Sequence, residues 1–156
     1  MSELETRIAD FLNQEHIAVV GVRSTQDDAA NLIYRKFREA GYTVYAINPN
    51  AETVEGDPCY ANLWAAPTKP DAVVIVTRPE ITENVVQQCA ELGITRVWIH
   101  QSFMGNSLSP TALETCKTHN IEVIPGLCPM MYVGKVDFFH GFACWLPRVT
   151  GKMPAV

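Results

Sequence analysis

In the run Val19-Val20-Gly21-Val22-Arg23-Ser24, a guanidinium and a hydroxyl stand directly behind a glycine that closes an apolar stretch. If that stretch is a strand with a helix after it, the turn gathers amide N–H groups and a helix dipole, which together hold an anion. A guanidinium also matches phosphate geometry, and a second one, Arg78, stands in Val76-Thr77-Arg78-Pro79 behind another apolar run. Phosphate binding is therefore the first chemistry to expect. Asp27 and Asp28 read as helix-capping groups, because carboxylates beside a bound phosphate would oppose it.

His100, followed by Gln101 and Ser102, is the candidate general base. A base needs a partner, and no carboxylate is committed to it, so a polar group lining a cleft is the preferred reading. Cys128, between Leu127 and Pro129, is either a thiol facing the cleft or a small apolar residue, since nothing nearby lowers its pKa. His16, His119 and His140 fall at element boundaries or in the tail, and none forms a metal spacing. No metal is expected. The turn is also not the dinucleotide fingerprint G-x-G-x-x-G, having Arg23 third and Gln26 sixth. Asn48 and Asn50 stand where a nicotinamide dinucleotide site wants an acidic residue.

These residues need elements to position them. Ile17 to Val20 is a buried strand, Ala29 to Ala40 an amphipathic helix closed by Gly41, and Tyr42 to Ile47 the next strand. Before them, Ser2 and Glu5 form a capping box for a helix with Leu4, Ile8, Phe11 and Leu12 on one face. After them comes a loop with a short strand near Cys59–Tyr60 and a helical turn at Leu63–Trp64. Asp71 to Val76 is a strand, and Pro79 opens a helix carrying Ile81, Val85, Val86, Cys89 and Leu92 inward to Gly93. Ile94 to Ile99 is a strand, His100 to Gly105 a loop, and Ser109–Pro110 the start of a helix bearing Ala112, Leu113 and Cys116. Ile121 to Ile124 is the last strand.

This alternation predicts an α/β fold, a three-layer Rossmann-like doubly wound parallel sheet. Ligands then sit outside the carboxyl ends of the strands, which brings together residues 21–24, Asn48–Pro49, 76–79, His100–Gln101 and 125–129.

Length fits a single domain over residues 1–156, with an N-terminal helix in 1–15 and an aromatic-rich extension from 130. That extension holds Phe138, Phe139, His140, Phe142 and Trp145, a core cover or homodimer contact in preference to a ligand lid. A net charge of -5 argues against a nucleic-acid surface but not against a local phosphate site. Five cysteines without a C-x-x-C pair disfavour a disulfide framework or zinc. No signal peptide or membrane span is expected, which implies a cytoplasmic protein.

The segments VVGVRS, AGYTVYAINPN, CYANLWAAP, DAVVIVTRPE, ELGITRVWIHQ and IEVIPGLCPM, in this order and spacing, resemble the stand-alone CoA-binding domain proteins. These are small bacterial relatives of the nucleotide-binding domain of the succinyl-CoA synthetase α subunit. The resemblance runs from Ile17 to Met130 and implies coenzyme A across the strand ends. It would set Gly21, Val22, Arg23 and Ser24 at the pyrophosphate, Asn48 and Pro49 beside the nucleotide, and Val76, Thr77, Arg78 and Pro79 along adenine and ribose. His100, Gln101 and Cys128 complete the implied site; His100 stands where the family often has glutamine, Cys128 where it commonly has cysteine. In the family a small residue and then serine follow the glycine, whereas here Val22 and Arg23 precede Ser24.

The resemblance implies no reaction, because the phosphohistidine and grasp domains of the synthetase have no counterpart in the sequence. The expected function is a module that senses, carries or presents CoA or an acyl-CoA, with a protein as its partner. The rivals are an NAD(P)-binding oxidoreductase and an enzyme of CoA thiol or acyl chemistry using Cys128 or His100.

Overall fold

The computed structural model describes residues 2–24, 28–102 and 105–133. The aromatic cluster from Phe138 to Trp145 lies outside them, as do Gln26 and Asp27.

Helix α1, Glu3–Leu12, starts at the expected capping box: Ser2 Oγ accepts from the Glu5 N–H at 3.1 Å, and the Ser2 N–H donates to Glu5 Oε2 at 2.7 Å. It buries Ile8, Ala9, Phe11 and Leu12. Leu4, expected on that face, is exposed. Near its turn Arg7 reaches the sheet instead, donating to the Val123 carbonyl at 2.8 Å.

Strand β1 is His16–Val20, α2 is Ala29–Glu39 and β2 is Thr43–Ile47. Asp28 caps α2 by accepting from the Asn31 N–H at 3.3 Å. Beyond them, β3 (Thr53–Val54) and β4 (Asp57–Tyr60) form an antiparallel hairpin, followed by a 3-10 turn over Leu63–Ala65. Next come β5 (Ala72–Ile75), α3 (Pro79–Leu92) and β6 (Arg96–Ile99). The region read as a loop after His100 contains a second small hairpin, β7 (Gln101–Ser102) with β8 (Gly105–Asn106). Helix α4, Pro110–Thr118, is capped by Ser109, and β9 is Glu122–Pro125.

The main sheet has the order β3-β4-β2-β1-β5-β6-β9, parallel except at β3. Alternation along β1 sorts its side chains between two layers. Ile17 and Val19 pack with residues of α1 and α2, while Ala18 and Val20 pack with residues of α3 and α4. Trp98, fully buried on the α1 side, meets Phe11 edge-on at 5.3 Å and donates its Nε1–H to the Gly126 carbonyl at 3.1 Å. The fold is thus the doubly wound three-layer sheet that the sequence predicts.

From β1 the chain crosses to β2 on one side and later reaches β5 on the other, so strand order reverses between β1 and β5. Gly21 ends β1 at this point with φ +108°. A Cβ there would lie 2.1 Å from the Val76 carbonyl oxygen. Gly21→Ala is therefore expected to lower stability by at least about 2 kcal/mol in urea denaturation. Gly41→Ala, at φ +96° but with open space around the new methyl, should cost about 1 kcal/mol. Equal midpoints for the two variants would show that the Val76 contact carries no weight.

Candidate ligand-binding site

Above the reversal point lies a cavity of about 420 Å³, within the range of small-molecule sites. The turn after β1 supplies Gly21, Arg23 and Ser24 to it, and the end of β2 supplies Asn48, Pro49 and Asn50. Val76, Thr77, Arg78 and Ile81 close it from the β5 side. A smaller cavity of about 250 Å³ adjoins it, sharing Arg23, Val76, Thr77 and Arg78 and adding Asp28, Pro79 and His100.

Topology thus gathers most of the residues singled out from the sequence. Val22 differs: its side chain is fully buried among the α2-side core residues, so only its backbone faces the turn. Gln101 is exposed beside Gly126, and neither Gln101 nor Cys128 lines either cavity. Cys128 is half-buried, and burial pushes its thiol pKa up, away from thiolate chemistry.

The turn is held by two asparagines. Asn31 of α2, itself buried, accepts from the Arg23 N–H at 3.0 Å and donates to the Arg23 carbonyl at 2.8 Å. Asn48 donates to the Val22 carbonyl at 2.8 Å and accepts from the Asn50 N–H at 2.8 Å. The Gly21 N–H is bound as well, to the Ile47 carbonyl at 3.0 Å. Two amides that the sequence suggested for an anion are therefore committed to the fold.

Cationic side chains remain for an anion. Arg23 pairs with Asp28 at 3.3 Å and Arg78 with Glu80 at 3.4 Å, and both guanidinium groups are largely exposed. Exposed pairs of this kind contribute little and exchange readily for a stronger anion.

On the β5 side, the Thr77 N–H donates to Ser107 Oγ at 2.9 Å, and the Thr77 and Thr82 hydroxyls bond each other at 2.9 Å. Thr82 also donates to the Arg78 carbonyl at 3.2 Å, which turns Thr82 inward and leaves Ile81, expected in the core, on the cavity wall. His100 is 1% exposed, its Nε2 is buried without a partner, and burial lowers its pKa. Among the described residues no group of His, Cys, Asp and Glu has metal-holding geometry, and no helix is long and apolar enough to cross a membrane.

The sequence reading missed Asn31, Ser107 and Ile81 as parts of the site. Asn31 carried no signal of this: four and seven residues on stand Arg35 and Arg38, so helical spacing puts its amide on the polar flank of the helix.

Comparison with known proteins gives one family model, the CoA binding domain, matching residues 15–133. Acetate–CoA ligase [ADP-forming] I of Archaeoglobus fulgidus is 30% identical over 118 residues, 72% of this chain but 17% of the ligase. The second such ligase of that organism is 25% identical, over 74% of this chain and 18% of its own. The chain thus spans under a fifth of the length of these relatives. Among solved structures, a hypothetical protein from Pyrococcus horikoshii OT3 superposes with a TM-score of 0.77 at 26% identity, covering 84% of this chain and 90% of its own. The apo dinucleotide-forming acetyl-coenzyme A synthetase 1 of Ca. Korarchaeum cryptofilum shares the fold at 23% identity and a TM-score of 0.63, over 74% of this chain and 27% of its own.

Asn31→Ala removes both bonds to the part-buried main chain of Arg23 and is expected to cost about 1–2 kcal/mol in urea denaturation, against about 0.5 kcal/mol or less for exposed Arg78→Ala. Similar losses in both would refute the bracing role. For His100, the native pKa lies below the unfolded value of about 6.5. Between the two the unfolded chain binds a proton that the native chain refuses, so stability falls as pH drops through that window. The pH slope of stability below about 6.5 should therefore be shallower in His100→Gln than in the native protein, and an unchanged slope would contradict this.

Proposed function

The chain belongs to the CoA binding domain family, and we propose that it binds coenzyme A or an acyl-CoA in the cavity above the β1–β5 reversal point. The observation that carries this reading is the coincidence of two facts. The family match covers every strand of the main sheet, and within it the cavity lies where parallel α/β sheets bind nucleotides. Arg23 and Arg78 meet the pyrophosphate, with Ser24 beside them. Pro49 and Asn50 border the nucleotide, and the stretch from Val76 to Pro79 runs along its adenine and ribose.

A nicotinamide dinucleotide fits less well. Such a site asks the end of the second strand for a carboxylate to hold the ribose diol. Asn48 stands there, with both ends of its amide bonded to main chain. Thiol chemistry through Cys128 draws no support from its raised pKa or its place off both cavities. The matching segments are 17% and 18% of the two ligases. By analogy this module carries or presents its ligand to a partner protein.

Calorimetry with CoA, acetyl-CoA, NAD and NADP tests the reading. CoA or acetyl-CoA is expected to bind with micromolar affinity that weakens with salt, and Arg23→Ala and Arg78→Ala should each weaken it about tenfold, the value of one charge-assisted bond. Tight NADP binding with no CoA binding would overturn it.

A further inference from the structure

The tip of the β3–β4 hairpin has a backbone that its residue types do not favour. Val54 pairs with Asp57, so Glu55 and Gly56 form a two-residue loop, and both have positive φ, 52° and 83°. Such loops normally begin with asparagine, aspartate or glycine, because a longer side chain is crowded in the left-handed region. Glu55 is held there by what its side chain reaches. The carboxylate turns inward, 20% exposed, to accept from Asn31 Nδ2 at 3.1 Å and to pair with Arg35 Nε at 3.5 Å. The hairpin does not need these contacts to stay on α2, since Asp57 already accepts from Tyr34 at 2.7 Å and from Arg38 at 2.8 Å. A strained residue whose contacts the local fold can spare points to a use elsewhere.

That use lies at Arg23. Asn31, buried in α2, donates from Nδ2 both to the Arg23 carbonyl at 2.8 Å and to Glu55, while its Oδ1 takes the Arg23 N–H at 3.0 Å. A carboxylate only accepts, so the reversed amide would set oxygen against oxygen at Glu55. Glu55 thus keeps Asn31 in the orientation that binds both main-chain groups of Arg23, a residue common to the walls of both cavities. We propose that Glu55 is a positioning residue for this turn: through Asn31 it holds Arg23 where the guanidinium meets the ligand's phosphates, an inference that rests on the CoA reading above. Glu55 lines neither cavity, so its effect on the ligand passes through Asn31. Without the carboxylate the amide is free to turn over, and the turn spends less time in the conformation that presents Arg23.

The test is calorimetry with CoA on the native protein, Glu55→Gly and Glu55→Gln, repeated for Glu55→Gly in an Arg23→Ala background. In Glu55→Gly the affinity should fall about threefold to fivefold while the midpoint of urea denaturation stays near the native value, because relief of the backbone offsets the lost bonds. Glu55→Gln, whose amide oxygen still accepts from Asn31, should keep most of the native affinity. With Arg23 already truncated, Glu55→Gly should weaken binding no further. Native affinity in Glu55→Gly, or an equal loss in the Arg23→Ala background, would overturn the positioning role. Hydrogen exchange at the Arg23 amide, followed by NMR without ligand, should be faster in Glu55→Gly than in the native protein. An unchanged rate would refute the relay whether or not CoA binds, whereas failure of the native protein to bind CoA would overturn the CoA reading itself.

Discussion

The ends of β2, β1 and β5 are drawn to one point by main-chain contacts alone. The Gly21 N–H donates to Ile47 at 3.0 Å, the Val76 N–H donates to Val20 at 3.0 Å, and the Val76 carbonyl occupies the space a Gly21 Cβ would need. Strands β2 and β5 flank β1, and beyond its last pair the chains must part, because β1 continues into the layer holding α2 and β5 into the layer holding α3. The cavity is the space opened by that parting. Arg23 comes two residues after Gly21 and Arg78 two after Val76, so the same contact that closes the sheet sets both cations on the rim.

Polar groups around the rim divide between those bonded into the loops and those exposed at the surface. Asn31, Asn48 and Ser107 have their side chains committed to the main chain of the loops. A loop fixed in this way loses little freedom when a ligand arrives, which is where much of the adverse entropy of binding otherwise arises. The arginines are the reverse case, exposed and in weak pairs, suited to change partners. The sequence shows residue types but not this division, and Asn48 illustrates the consequence: it stands at the expected edge of the site as a buttress for Val22.

The fold was legible because its strands are continuous apolar runs and its helices carry their own punctuation, with Ser2, Asp28 and Ser109 at starts and Gly93 at an end. The strand ends, and so most of the site, followed from the topology, and the resemblance to CoA-binding domains came from segments that fall on those ends. What escaped the reading depends on contacts between distant segments. Strands β3 and β7 are two residues long and owe their existence to a partner strand. Ile81 has helical spacing that points it inward, but the first turn of α3 overhangs the cavity and Thr82 finds its hydrogen bonds inside. Val22 looked like part of a phosphate loop, yet its valine side chain follows the core rather than the cleft.

The edge of the sheet matters to the site for the same reason. Glu55, at the tip of the β3–β4 hairpin with φ 52°, accepts from Asn31 Nδ2 at 3.1 Å and pairs with Arg35 at 3.5 Å. One residue further into the hairpin than Gly56, Asp57 accepts from Tyr34 at 2.7 Å and Arg38 at 2.8 Å, bonds that hold its carboxyl below the usual range. Through these bonds the hairpin grips the outer face of α2, and Glu55 orients the amide that fixes Arg23. A short edge hairpin would be marginal on its own. Here it joins the sheet beside β2 and closes a chain of polar contacts that runs from the sheet edge, through Asn31, to the turn at the mouth of the cavity.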